Sequence, residues 1–134
     1  MARIKFNEYD MYYYSYLSIR ARYPFSKGFI IKEQDRSKQG YRPDFLIQKR
    51  IKYRKTSYYF KIIAEVKAEA IILPQHIAQI NWYAKNHSGK HSFIIGKYLI
   101  IPTYTSIEKV RSLLLNCGIE VIRLRGFKRL ENIK

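Results

Sequence analysis

Acidic residues are scarce in this chain: 10 Asp and Glu stand against 26 Lys and Arg, a formal net charge of +16 over 134 residues. That excess repels itself unless an anion compensates, and a polyphosphate chain is the partner it fits best. An acidic membrane surface is the weaker candidate, because no strongly basic amphipathic helix stands out. Cysteine is nearly absent. Cys117 alone excludes an internal disulfide and a cysteine-rich zinc site. No apolar run approaches the roughly 18 residues that a membrane span needs, and the opening MARIKFNEYD lacks the apolar stretch of a signal peptide. A cytoplasmic setting is the resulting expectation. There is no internal repeat and no low-complexity segment. What is present is a 47% apolar composition rich in tyrosine and isoleucine, enough for one packed domain spanning residues 1–134. The basic tail, 125–134, is expected to be mobile.

The spacing predicts a helix over 7–22, with Asn7 as cap and Asp10 completing a weak capping box. Glu8, Tyr12, Ser15 and Ile19 share one face of it, and Pro24 ends it. The tyrosines at 9, 12, 13, 14 and 16 read as half-buried packing surface more readily than as a base-stacking row. Residues 28–34 read as a first strand, followed by a polar loop to Gly40. Lys32, Arg36, Lys38 and Arg42 surround that loop and could meet a phosphate backbone; a solvated charged loop is the plainer reading. A second strand over 44–50, a basic turn over 51–57 and a third strand over 58–67 follow. In the third strand Phe60, Ile62 and Ala64 face one way, and Tyr59, Lys61, Ile63, Glu65 and Lys67 the other.

Pro74 opens a predicted helix over 74–86, with Ile77, Ile80 and Ala84 facing the sheet and Gln75, Gln79 and Tyr83 forming a polar stripe. His76 lies beside that stripe and reads as a surface histidine. His87 and His91 lack a third ligand at metal spacing. A fourth strand over 92–101 looks breakable at Gly96. Thr105 and Glu108 form a capping box for a helix to Cys117, with Gly118 at the position after its end. Residues 119–124 form a fifth strand. The fold class is therefore α/β, in the order helix, three strands, helix, strand, helix, strand.

Within that frame one pattern carries chemistry. Pro43-Asp44 opens the second strand, and Glu65-Val66-Lys67 closes the third. If the two strands pair as a hairpin, Asp44 comes near Glu65, with Lys67 on the same face as Glu65. Two hard oxygen donors close together suit Mg²⁺ or Mn²⁺. Taken alone, Glu-x-Lys on a strand is more often a same-face salt bridge. Burying such a cluster costs several kcal/mol unless its members serve a metal or each other.

Pro43-Asp44, then Glu65-x-Lys67 on the third strand, resembles the motif of the PD-(D/E)xK nuclease superfamily, which includes restriction endonucleases, archaeal Holliday-junction resolvases and RecB-like nucleases. Gln79-x-x-x-Tyr83 resembles the extra motif of the RecB-like branch. Glu8 matches the first-helix acid of the resolvase branch by position, although it equally suits a helix N-terminus; Glu33 and Asp35 are spare acids for that role. No serine-containing resolvase motif is found. The resemblance covers residues 7–101 and implies a restriction-endonuclease-like α-β-β-β-α-β core with a mixed central sheet flanked by helices.

It also implies a metal-dependent DNA nuclease whose products carry 5′-phosphates. Asp44, Glu65 and the Val66 backbone carbonyl would hold the metal, Lys67 would act on water or phosphate, and Gln79 and Tyr83 would support the site. The compact chain favours branched, flapped, single-stranded or end substrates over a long recognition sequence, and a resolvase would need a homodimer. Two rivals remain at this point: a non-catalytic nucleic-acid-binding regulator on the same fold, and an RNA-directed nuclease.

Overall fold

The computed structural model describes residues 8–33 and 43–126. Asn7, Asp35, Arg36, Lys38, Arg42 and the tail from 127 lie outside the described residues, as does the side chain of Glu8. The chain forms α1 (Glu8–Arg22), β1 (Phe29–Glu33), β2 (Phe45–Tyr53), β3 (Thr56–Val66), α2 (Pro74–His87), β4 (Ser92–Pro102), α3 (Arg111–Asn116) and β5 (Ile119–Leu124). The five strands lie in one sheet in the order β1-β2-β3-β4-β5. β1, β2 and β3 pair antiparallel, whereas β3, β4 and β5 pair parallel. The result is a mixed α/β sheet flanked by helices, in the element order expected.

The layers follow from the two-residue period of the strands. Ile63, Leu99, Ile101 and Ile119 point to one face, where Ile72, Ile77, Ile80, Tyr83, Val110 and Leu114 cover them. Phe45, Ile47, Ile62, Ala64, Val66, Ile100 and Ile122 point to the other, against Met11 and Ile19 of α1. The parallel strands β3 and β4 are buried on both faces in their second halves, as parallel strands between helical layers usually are.

Four local expectations are corrected. The basic turn over 51–57 is mostly strand: β2 runs to Tyr53 and β3 begins at Thr56. A two-residue turn at Arg54 and Lys55 suffices, with Arg54 in the left-handed region at φ 58°, a conformation costing a non-glycine residue roughly 1–2 kcal/mol. Charge misled the sequence reading here, since exposed strand ends tolerate lysine well. Second, β4 is not broken at Gly96. Pairing with β3 skips Ile95, and a Cβ at Gly96 would stand 3.3 Å from the Ile62 side chain. The glycine serves close packing at a bulge.

Third, the segment after Thr105 is a 3₁₀ turn (Glu108–Val110) running into the six-residue α3. Thr105 is buried, and its hydroxyl donates to the Glu69 carbonyl at 2.6 Å. It therefore ties down the exit loop of β3 and caps no helix. Fourth, Met11 rather than Tyr12 sits with Ser15 and Ile19 on the fully buried face of α1. Gly118 does adopt the left-handed conformation, at φ 66°, just past the Cys117 cap.

Candidate active site

The antiparallel β2–β3 pair sets Phe45 opposite Ala64, so the residue before β2 meets the end of β3. Pro43 needs no ladder hydrogen bond there. Asp44 and Glu65 are both nearly buried, at 7% and 3% exposure. The Asp44 backbone N–H donates to Glu65 Oε1 at 2.6 Å, and the Val66 N–H donates to Asp44 Oδ2 at 2.8 Å. Each acid is thus clamped by the backbone of the other strand. Lys67 follows the end of β3, its N–H bonded to the Ile100 carbonyl at 2.9 Å, and its Nζ lies 3.9 Å from Glu65 Oε2. The structure therefore brings Asp44, Glu65 and Lys67 together. Glu69 lies beyond β3, in the exit loop.

Electrostatics gives this cluster its character. Two carboxyl groups and one ammonium meet here in a strongly basic protein. Ionised acids this deep are costly without compensating charge. The donors are hard oxygens, and two carboxylates with water and phosphate oxygens completing the shell is a common way to hold Mg²⁺. Among the described residues no third acid, histidine or cysteine joins them, so Glu33 does not complete the set. Glu8 and Asp35 fall outside what is described.

The surrounding residues hold the acids in place. Tyr12 Oη donates to Asp44 Oδ1 at 2.8 Å, which gives the α1 tyrosine a role that sequence reasoning missed. Its signal was position: it is half-buried, at the border of the face that Met11, Ser15 and Ile19 bury. Tyr12 also meets Phe45 edge-on. Gln79 Nε2 donates to the Tyr83 hydroxyl at 3.0 Å. Tyr83 is buried, and its pKa is raised first by burial and then by the charge of Glu65. The Gln79–Tyr83 pair is thus within electrostatic reach of Glu65, while Gln75 faces solvent. Tyr13 and Tyr14 remain exposed.

His76 is not a plain surface histidine. Its Nδ1 accepts the Leu73 N–H at 2.9 Å and so caps α2. Burial and then Lys67 hold its pKa below the ordinary 6.5, with Glu69 acting the other way. Below that value the unfolded chain binds the proton before the folded one, so stability falls as pH drops. His76→Gln is expected to flatten the decline in melting temperature between about pH 7 and pH 5; profiles parallel to the wild type would refute the assignment.

On the α2 side of the β1–β2–β3 half of the sheet lies a cavity of about 290 Å³ lined by Lys32, Glu33, Pro43, Leu46, Gln48, Lys61 and His87. Lys61 donates to the His87 carbonyl at 3.3 Å, and burial followed by Lys32 lowers its pKa. Of the four basic residues expected at phosphate, Lys32 is placed here; Arg36, Lys38 and Arg42 lie outside the described residues. No described helix is long and apolar enough to cross a membrane.

No family model matches the chain, and no curated protein matches it. Among solved structures, it is similar to the MspJI restriction endonuclease in complex with a 27-mer oligonucleotide. That match has 14% identity and a TM-score of 0.43, covering 87% of this chain and 25% of the other. The chain thus spans about a quarter of the length of that structure.

Proposed function

We propose that the protein is a metal-dependent nuclease that hydrolyses phosphodiester bonds in DNA. The observation that carries this reading is the clamped pair of nearly buried carboxylates, Asp44 and Glu65, with Lys67 Nζ 3.9 Å from Glu65. Asp44 and Glu65 would hold Mg²⁺, or Mn²⁺ in its place, with the Val66 carbonyl and Glu8 as further oxygen donors. Such an ion, when bound, acidifies a water and neutralises charge on the scissile phosphate. Lys67 orients the attacking water or stabilises charge developing on phosphate oxygens. Tyr12 fixes the orientation of Asp44, and the hydrogen-bonded Gln79 and Tyr83 support the site from α2. Lys32 and Lys61 attract the phosphate backbone in a salt-dependent, sequence-independent way.

The substrate class proposed is a branched, flapped or free-ended DNA, as in junction resolution, recombination or repair. A junction substrate would require a symmetric dimer. One observation favours a second reading: the carboxylate oxygens already accept hydrogen bonds from Tyr12, Val66 and Asp44, as in a structural ion cluster of a non-catalytic regulator.

Labelled single-stranded, duplex, flapped and four-way-junction DNA, and single-stranded RNA, should be incubated with Mg²⁺, Mn²⁺ or EDTA. Metal-dependent cutting of at least one DNA form is expected. Cutting of RNA alone would move the substrate, and binding of every form without cutting would favour the regulator.

A further inference from the structure

The half of the sheet away from the acids carries a feature that cleavage does not use. On the α1 face, Ile51 stands opposite Tyr58 and Lys49 opposite Phe60, while Phe60 pairs with Phe93 across β3 and β4. Three of these rings form a row. Phe60 and Phe93 stack with centroids 5.7 Å apart and planes 28° apart, and Tyr58 and Phe93 with 6.5 Å and 25°. His91 meets Tyr58 edge-on at 5.3 Å. Helix α1 does not seal this row: Phe93 is 42% exposed, Tyr58 and Phe60 are half-buried, and Ile51 and Tyr53 on the same face of β2 are 40% and 61% exposed.

Among the described residues the rim is cationic. Lys49 Nζ lies 5.4 Å from the Phe29 ring centroid, and the Arg54 guanidinium 5.3 Å from that of Tyr53. Lys55 and Lys90 are exposed in the neighbouring turns. No acid occurs in the sequence from 45 to 64, or from 70 to 107.

We propose that this face binds a single-stranded stretch of nucleic acid, with bases stacking on the Tyr58–Phe60–Phe93 row and phosphates meeting Lys49 and Arg54. Aromatic platforms with cationic edges suit unpaired bases, whose π-faces are exposed only when the duplex is open. Charge decides against a second copy of the chain as occupant: it would bring two cationic rims together in a protein of net charge +16, whereas a polyanion neutralises them. Phe60 and Glu65 are five residues apart on β3, roughly 17 Å. By the alternation of the strand they also point to opposite faces of the sheet, so this surface is separate from the acids. The partner class rests on the nucleic-acid reading above, but the binding needs neither metal nor cleavage.

The test is fluorescence anisotropy in EDTA, with labelled oligothymidylate, oligouridylate and a duplex of equal length. 2-Aminopurine placed in the single strand reports stacking. Phe93→Leu keeps the apolar volume and removes the π-face, Phe93→Trp restores it, and melting curves check folding. Phe93→Leu is expected to weaken single-strand binding about tenfold and to restore 2-aminopurine emission, with duplex binding unchanged and Phe93→Trp close to wild type. Equal weakening of single strand and duplex, or no change in either, would overturn the proposal. A dimer in light scattering that Phe93→Leu dissociates, without altered strand binding, would assign the face to a second copy instead. Failure here leaves metal-dependent cleavage standing, and loss of cleavage leaves this binding measurable.

Discussion

Replacing Asp44 by alanine is expected to lower metal-dependent cleavage by roughly a thousandfold or more, the scale reached when a positioned group facing transition-state charge is lost. Asp44 has two roles that must be separated. As an acceptor it satisfies the buried Val66 N–H and the Tyr12 hydroxyl, and removing it leaves an unpaired donor at a cost of about 1–3 kcal/mol. As an anion it would, under the proposed reading, supply carboxylate charge to a bound cation. Asp44→Asn retains an acceptor for Val66 while removing that charge. Under the proposed reading Asn and Ala lose cleavage alike, whereas Asn melts closer to wild type. DNA binding in EDTA should survive in both, because the lysines and arginines that carry it are untouched. Kinetics and thermal melts of the two variants, run side by side, check this.

The second large effect is on stability. Leu99 is fully buried in β4 and pairs with Glu65 across the parallel β3–β4 ladder. It packs in the cluster that also holds Ile63, Ile80 and Tyr83. Leu99→Ala removes three carbons from that layer and leaves a cavity directly beside the acid. Large-to-small changes of this kind cost about 2–5 kcal/mol, which for a domain of this size lowers the melting temperature by roughly 10 °C. Urea denaturation should show the lower midpoint with an unchanged slope. A change below about 0.5 kcal/mol, the scale of surface substitutions, would mean that the layer under Glu65 is not packed as described.

Much of this arrangement was legible in the chain because it depends on short periods. Alternation placed Ile62 and Ala64 on one face of β3 and Ile63 and Glu65 on the other, and both cores keep to it. A hairpin between two apolar runs was enough to bring Asp44 to Glu65. Helix α2 followed from Pro74 and the spacing of Ile77, Ile80 and Ala84, all buried.

What escaped depended on contacts between distant segments. The Tyr12–Asp44 hydrogen bond spans 32 positions, and the Thr105–Glu69 bond 36. No local pattern encodes either. Thr105 even carried a misleading local signal, since the hydroxyl that would cap a helix is taken by the loop carbonyl. Tyr83 was read as part of a polar stripe because its hydroxyl counts as polar in a pattern, although its ring is core. The turn at Arg54 was hidden by basic residues that belong to exposed strand ends.

The most direct test of the central claim is the cleavage rate of Glu65→Gln beside the wild type, on the DNA form that the wild type cuts best, in Mg²⁺ and in EDTA. Glutamine can still accept the Asp44 N–H that Glu65 Oε1 now receives at 2.6 Å, so folding should persist and melting curves can verify it. The account predicts Mg²⁺-dependent cutting by the wild type, none in EDTA, and none by a folded Glu65→Gln in either. Cutting by the wild type in EDTA, or undiminished cutting by Glu65→Gln in Mg²⁺, would contradict it.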